Sequence, residues 1–98
     1  AQPIAGDLTR PETADDIAQR IGQMWGALDV LVCNVGSGRS VPPGEETHEE
    51  WLRMFSLNLY PATSLVRACR PLFPAGGGSI VCISSICGVE TLGAPVAY

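Results

Sequence analysis

The sequence predicts an α/β chain organised on a parallel sheet, and three observations carry that prediction. Two apolar runs, residues 28–34 and 79–84, are continuous rather than alternating, the pattern of strands covered on both faces. Stretches with helical spacing lie before and after the first of them. A shorter run at residues 2–7 opens the chain, so the order reads strand, helix, strand, helix, strand. That alternation implies parallel pairing with right-handed crossovers.

Each element has its own justification. Residues 2–7, QPIAGD, are a weak strand ending on Gly6 and Asp7. Thr9 with Glu12 three places on reads as a capping box, and Pro11 suits a first helical turn. Ala14, Ile17, Ile21 and Met24 then recur at helical spacing, so a helix is predicted over 10–25, ended by Gly26. The strand LDVLVCN at 28–34 runs into Asn34-Val35-Gly36-Ser37-Gly38. Residues 36–46 form a surface loop of the kind that carries binding. Thr47 and Glu50 make a second capping box. Trp51, Met54, Phe55 and Asn58 share one face of the helix that follows, and Leu59, Ala62, Leu65, Val66 and Cys69 continue it. Pro61 removes a donor and crowds the carbonyl of Leu57, so a kink or break is expected near 57–61. Pro71, Pro74 and three consecutive glycines, 76–78, end the helical region ahead of strand 79–84.

Bulk properties narrow the function. Ninety-eight residues allow one small domain, and 46% hydrophobic content excludes a disordered tail. A net charge of −4 without any basic run argues against nucleic acid and anionic membrane surfaces. All six basic residues are arginine. The four cysteines make no CxxC pair and stand far from the single histidine, His48, which argues against structural zinc. Cys33 and Cys82 fall inside apolar runs, so buried, reduced thiols and a cytoplasmic compartment are expected. No apolar run has membrane-spanning length. The chain starts without methionine and stops on Tyr98 with no closing element, so an internal piece of a longer protein is expected.

The chemical candidates cluster at strand ends, where open α/β sheets bind ligands. Asp7 reads as a ligand-contacting carboxylate or as a solvated residue ahead of a helix. Asn34 and Gly36 read as a cleft wall or as a tight turn. Asn58 reads as a buried amide answering backbone groups freed near Pro61, or as the holder of an active-site water. Ser84 and Ser85 read as ligand-facing hydroxyls or as a turn. His48 is solvated in a first helical turn, and no G-x-S-x-G elbow supports a serine triad.

Taken jointly, these residues resemble the short-chain dehydrogenase/reductase family. Gly6-Asp7-Leu8-Thr9 looks like the D-L segment after that family's third strand. Leu28-Asp29-Val30-Leu31-Val32-Cys33-Asn34-Val35-Gly36 looks like its L-D-x-L-V-N-N-A-G stretch, with Cys33 in place of one amide. Ser56-Leu57-Asn58-Leu59 looks like its x-x-N-L segment, and Gly78-Ser79-Ile80-Val81-Cys82-Ile83-Ser84-Ser85 its G-x-I-V-x-I-S-S strand. Tyr98 falls thirteen residues after Ser85, and Asn58 twenty-seven before it. Those gaps suit the family's Asn, Ser and Tyr, and they single out Ser85 over Ser84.

The resemblance implies a doubly wound parallel-sheet Rossmann fold, of which residues 1–98 are the central segment, third to fifth strands with their helices, without the N- and C-terminal parts. In the order 3-2-1-4-5-6-7 the third strand lies two absent strands away from the fourth. It would be unpaired here, and these residues alone are not expected to fold stably. The resemblance also implies an NAD- or NADP-dependent oxidoreductase acting on a small carbonyl or alcohol, as a homodimer or homotetramer. Tyr98 is implied as acid/base, Ser85 as hydrogen-bond donor to the substrate oxygen, and Asn58 as holder of a water. Asp7 and Leu8 are implied at the adenine, and Asn34, Val35 and Gly36 beside the adenine-side ribose. The family's lysine, four residues past its tyrosine, lies beyond Tyr98. The competing reading is a catalytically inactive nucleotide-binding relative, which the residue four places after Tyr98 would decide. A methyltransferase-like α/β fold leaves the Asn58, Ser85 and Tyr98 gaps unexplained.

Overall fold

Proline at the first helical position and a glycine just past the last bound helix α1, Pro11–Trp25, in the computed structural model, which describes residues 1–90 and 92–98. Gly26 takes φ 76°, a left-handed value that glycine adopts without steric cost. The capping box predicted at Thr9 does not form. The carboxylate of Asp7 instead accepts both the Thr9 N–H, at 3.0 Å, and the Thr9 hydroxyl, at 2.7 Å. Arg10 becomes the N-cap without a side-chain hydrogen bond, and it pairs with Glu12. The second capping box forms on its Thr side: Thr47 Oγ1 accepts the Glu50 N–H at 3.2 Å and starts α2, His48–Asn58.

The break predicted near Pro61 falls at Leu59, between α2 and α3, Tyr60–Cys69. Pro61 has no N–H to offer the carbonyl of Leu57. The helical ladder resumes at Leu59, whose carbonyl takes the Thr63 N–H at 3.2 Å. A 3₁₀ turn, Arg70–Leu72, ends this region. Gly77, at φ 90°, then closes a turn onto the Pro74 carbonyl. Gly78 must be glycine: a Cβ there would stand 2.1 Å from the Phe73 ring and 2.8 Å from the Asp29 carbonyl oxygen.

Two parallel strands, β1 (Val30–Cys33) and β2 (Ser79–Cys82), pair in register, Val30 with Ser79 through Cys33 with Cys82. They are the sheet among the described residues, in the order β1-β2. The run at 2–7 is not a strand. It has no neighbour to pair with, and Ile4 and Leu8 instead pack their side chains on the core.

The core lies on one face of this sheet. Ala14, Ala18 and Ile21 of α1 meet Leu31 and Cys33 of β1 and Leu65 and Cys69 of α3. The expectation that both strand faces are covered is not met. Val30 and Val32 are exposed on the uncovered face, and every residue of β2 is exposed, including Ile80 and Cys82, which pair with the core-facing Leu31 and Cys33. Cys82 is exposed too, so the expectation of buried thiols holds for Cys33 and Cys69 only; Cys87 is half-buried. Burial pushes the Cys33 and Cys69 thiols up, away from reactivity. Met24 ends outside the core stripe of α1, and Trp51 and Phe55 turn outward on α2 while Met54 is fully buried. A helix buries only the stripe that meets a neighbour.

Candidate functional site

The carboxyl ends of β1 and β2 open onto one cleft of about 510 Å³. Asn34, Val35 and Gly36 leave β1 along one wall, and Ser84 and Ser85 leave β2 along the other. Asn58, from the end of α2, and Tyr98 complete it. Six of the eight predicted site residues therefore share one cavity. Asp7 and Leu8 do not line it. Asp7 is exposed, and its hydrogen bonds to Thr9 hold its carboxyl below the usual carboxylate range. Leu8 is half-buried against the core.

The Asn58 amide binds the loop after β1 and its own helix rather than backbone groups freed near Pro61. Its Nδ2 donates to the Ser37 carbonyl at 3.2 Å and to the Met54 carbonyl at 3.1 Å, and its Oδ1 accepts the Ser37 N–H at 2.8 Å. Both amide protons and one acceptor position are thus committed to backbone, tying the loop after β1 to α2. Gly36 is part of the same device, because a Cβ there would meet Asn58 Oδ1 at 2.7 Å. The requirement for glycine arises from close approach, with no positive φ at this position. Replacing Asn58 by Ala leaves the Ser37 N–H and carbonyl without their side-chain partner and takes a second donor from the Met54 carbonyl, which keeps its helical bond. At about 1 kcal/mol for each of three hydrogen bonds, Asn58→Ala is expected to lower the stability of the full-length protein by roughly 2–3 kcal/mol. Urea unfolding checks this, and a loss under about 0.5 kcal/mol would show that water replaces the amide.

Ser85 is both a turn residue and a cleft residue. Its Oγ accepts the Cys87 N–H at 3.2 Å and caps a 3₁₀ turn, Ile86–Gly88. That bond uses the oxygen as acceptor and leaves the hydroxyl proton to donate into the cleft. Tyr98 lines the same cleft, and a Cβ on Gly38 would stand 3.6–3.7 Å from three of its ring carbons. Ser37 and Gly38 were not singled out from the sequence. The Gly-Ser-Gly run marked a turn but carried no sign of its two partners, each of which depends on contacts between residues far apart in the chain.

The lining residues carry no lysine, arginine or carboxylate. The cleft thus offers hydroxyls, amides and backbone at the carboxyl edge of a parallel sheet, the place where such folds take nucleotides.

The family model described as short chain dehydrogenase matches residues 1–98. A tropinone reductase homolog of Arabidopsis thaliana is 36% identical over 91 residues, covering 92% of this chain and 30% of that protein. A short-chain dehydrogenase/reductase structure from Burkholderia xenovorans superposes with a TM-score of 0.88 at 28% identity, covering 99% of this chain and 38% of the other. ElxO, solved with NADP bound, gives a TM-score of 0.82 at 27% identity over 95% of this chain and 38% of its own. The chain belongs to the short-chain dehydrogenase family, and its fold is part of that family's Rossmann domain. It spans 30–38% of the length of these three relatives.

Proposed function

We propose that the intact protein is an NAD- or NADP-dependent oxidoreductase that interconverts a small carbonyl compound and its alcohol. The observation that carries this reading is the meeting of Asn58, Ser85 and Tyr98 in one cleft with Asn34, Val35 and Gly36. The uncharged, hydroxyl- and amide-lined cleft fits the nicotinamide and ribose portion of such a cofactor. The relative solved with NADP bound supports the same class of ligand. When bound, the nicotinamide supplies the hydride chemistry.

The chain's own residues supply the proton and the geometry. Tyr98 gives its phenolic proton to the carbonyl oxygen in reduction and takes it back in oxidation. A free phenol holds its proton to about pH 10, so this role needs a positive charge nearby. No lysine among the 98 residues provides it. Ser85 donates its free hydroxyl proton to the same oxygen as negative charge develops there. The side chain of Asn58 is committed to the loop, so its water is assigned to the main-chain carbonyl at the gap between α2 and α3. Asn34, Val35 and Gly36 flank the cofactor, and Asp7 and Leu8 are assigned to its adenine end, away from the cleft.

Residues 1–98 are assigned as the central segment of one nucleotide-binding domain. The uncovered sheet face supports this. An exposed aromatic row on α2, in which the Trp51 and Phe55 rings lie 6.3 Å apart, supports assembly as a homodimer or homotetramer. Four free cysteines support a cytoplasmic site. No helix among the described residues is long and apolar enough to cross a membrane.

The deciding experiment is a panel of ketones, aldehydes and alcohols with each cofactor, run on the full-length protein. Turnover of at least one carbonyl substrate, with a preference between NADH and NADPH, is expected. Tight cofactor binding without turnover of any panel member would favour the inactive relative instead.

A further inference from the structure

The loop of residues 37–40 is tied at both ends to side chains of α2. At its start, Asn58 holds both backbone groups of Ser37. At its end, Arg53 donates to the Arg39 carbonyl at 2.7 Å, and Glu50 Oε1 accepts the Ser40 hydroxyl at 2.5 Å. Arg53 and Glu50 are themselves joined through two nitrogen–oxygen contacts, Nε to Oε2 at 2.8 Å and Nη2 to Oε1 at 2.7 Å. Glu50 and Arg53, three residues apart, are neighbours on the helix surface, and Asn58 stands about two turns beyond Glu50. Between the two anchors lies Gly38, where a Cβ would stand 3.6–3.7 Å from three carbons of the Tyr98 ring, so the ring sits directly beside this point of the loop.

An isolated surface ion pair would matter little. This one differs in three ways. The Glu50 side chain is only 12% exposed. The pair is bidentate, and each member also holds the loop. Together Arg53 and Ser40 hold the Glu50 carboxyl down to about 2, so it stays ionised through the physiological range.

We propose that Glu50 and Arg53 are positioning residues for Tyr98: by clamping Arg39 and Ser40 they hold Gly38 as the platform that sets the angle of the Tyr98 ring. The inference rests on the reading of Tyr98 as the acid/base group. Neither residue touches the cleft, so their effect passes through the loop.

The test uses the full-length protein and two readouts, steady-state turnover and the ¹³C signal of the Tyr98 ring, assigned by its loss in Tyr98→Phe. Arg53→Met is expected to lower kcat about tenfold, within the range that small misplacements of reacting groups produce, while the cofactor KM moves less than about twofold. Arg53→Lys, which keeps the positive charge but not the planar fork, is expected to recover part of that loss. The ring signal is expected to move in Arg53→Met and Glu50→Gln. It is not expected to move in Arg67→Met, which breaks an exposed ion pair with Asp15 away from the loop. If Arg53→Met does not fold, Ser40→Ala removes a single hydrogen bond and is read in the same way. A ring signal and kcat in Arg53→Met, or in Ser40→Ala where it replaces that variant, indistinguishable from those of Arg67→Met would overturn the proposal. If the parent protein reduces no carbonyl, the oxidoreductase reading fails, and the ring signal alone decides the clamp.

Discussion

Tyr98→Phe in the full-length protein is expected to lower turnover at least about a hundredfold, the usual scale for losing an acid/base group. The substitution is well suited to this site. The ring stands beside Gly38, and phenylalanine keeps that ring, so only the hydroxyl is removed. Cofactor affinity is expected to stay within about threefold of the parent, because the loss concerns the transition state rather than ground-state binding. Ser85→Ala removes the donor proposed for the substrate oxygen and belongs in the same series. Steady-state kinetics on the best substrate of the panel settles the matter. Near-normal reduction by Tyr98→Phe would show that the proton comes from elsewhere, whatever the cleft geometry suggests.

A polypeptide of residues 1–98 alone is expected to show no cooperative thermal transition. The argument is one of surface. A compact monomer of 10.3 kDa exposes roughly 5,400 Å², whereas this chain exposes 6748 Å². Its radius of gyration is 15.6 Å, against about 12.6 Å for a compact chain of this length. Apolar side chains contribute to the excess: Val32, Ile80, Val81 and Ile83 lie open on and beside a sheet of two four-residue strands. Two short strands covered on one face only leave apolar side chains to water. Near-ultraviolet circular dichroism and calorimetry on the polypeptide provide the check. A single sharp transition whose calorimetric and van't Hoff enthalpies agree would contradict the expectation.

How much was legible beforehand follows from the range of each interaction. Thr47, Pro61 and Gly26 act on residues within four places of themselves, and helix start, helix break and helix end fell where the sequence put them. Thr9 misled for the same local reason, because Asp7, two residues away, competed for its hydroxyl and won. The apolar runs located both strands but overstated their burial. A run of Val, Leu, Ile and Cys records what a strand is suited to be covered by, and only the packed neighbours decide whether the cover is there.

The site divides along the same line. Residue type and spacing left Asn58, Ser84 and Ser85 each with two readings, and it was the resemblance to the family's Asn, Ser and Tyr gaps that singled out Asn58, Ser85 and Tyr98 and favoured Ser85 over its neighbour. Tertiary structure decided that these three share a cleft, that the amide of Asn58 is spent on the Ser37 loop, and that Gly36 is small in order to admit it. It also set Asp7 apart from the cleft and brought Glu50 and Arg53 to the loop beneath Tyr98. Helical and strand patterns are written in neighbours a few residues apart, so the sequence determines them. Which hydroxyl meets which amide across twenty or more residues depends on how a strand, a helix and a loop pack together, and that is determined only once the chain has folded.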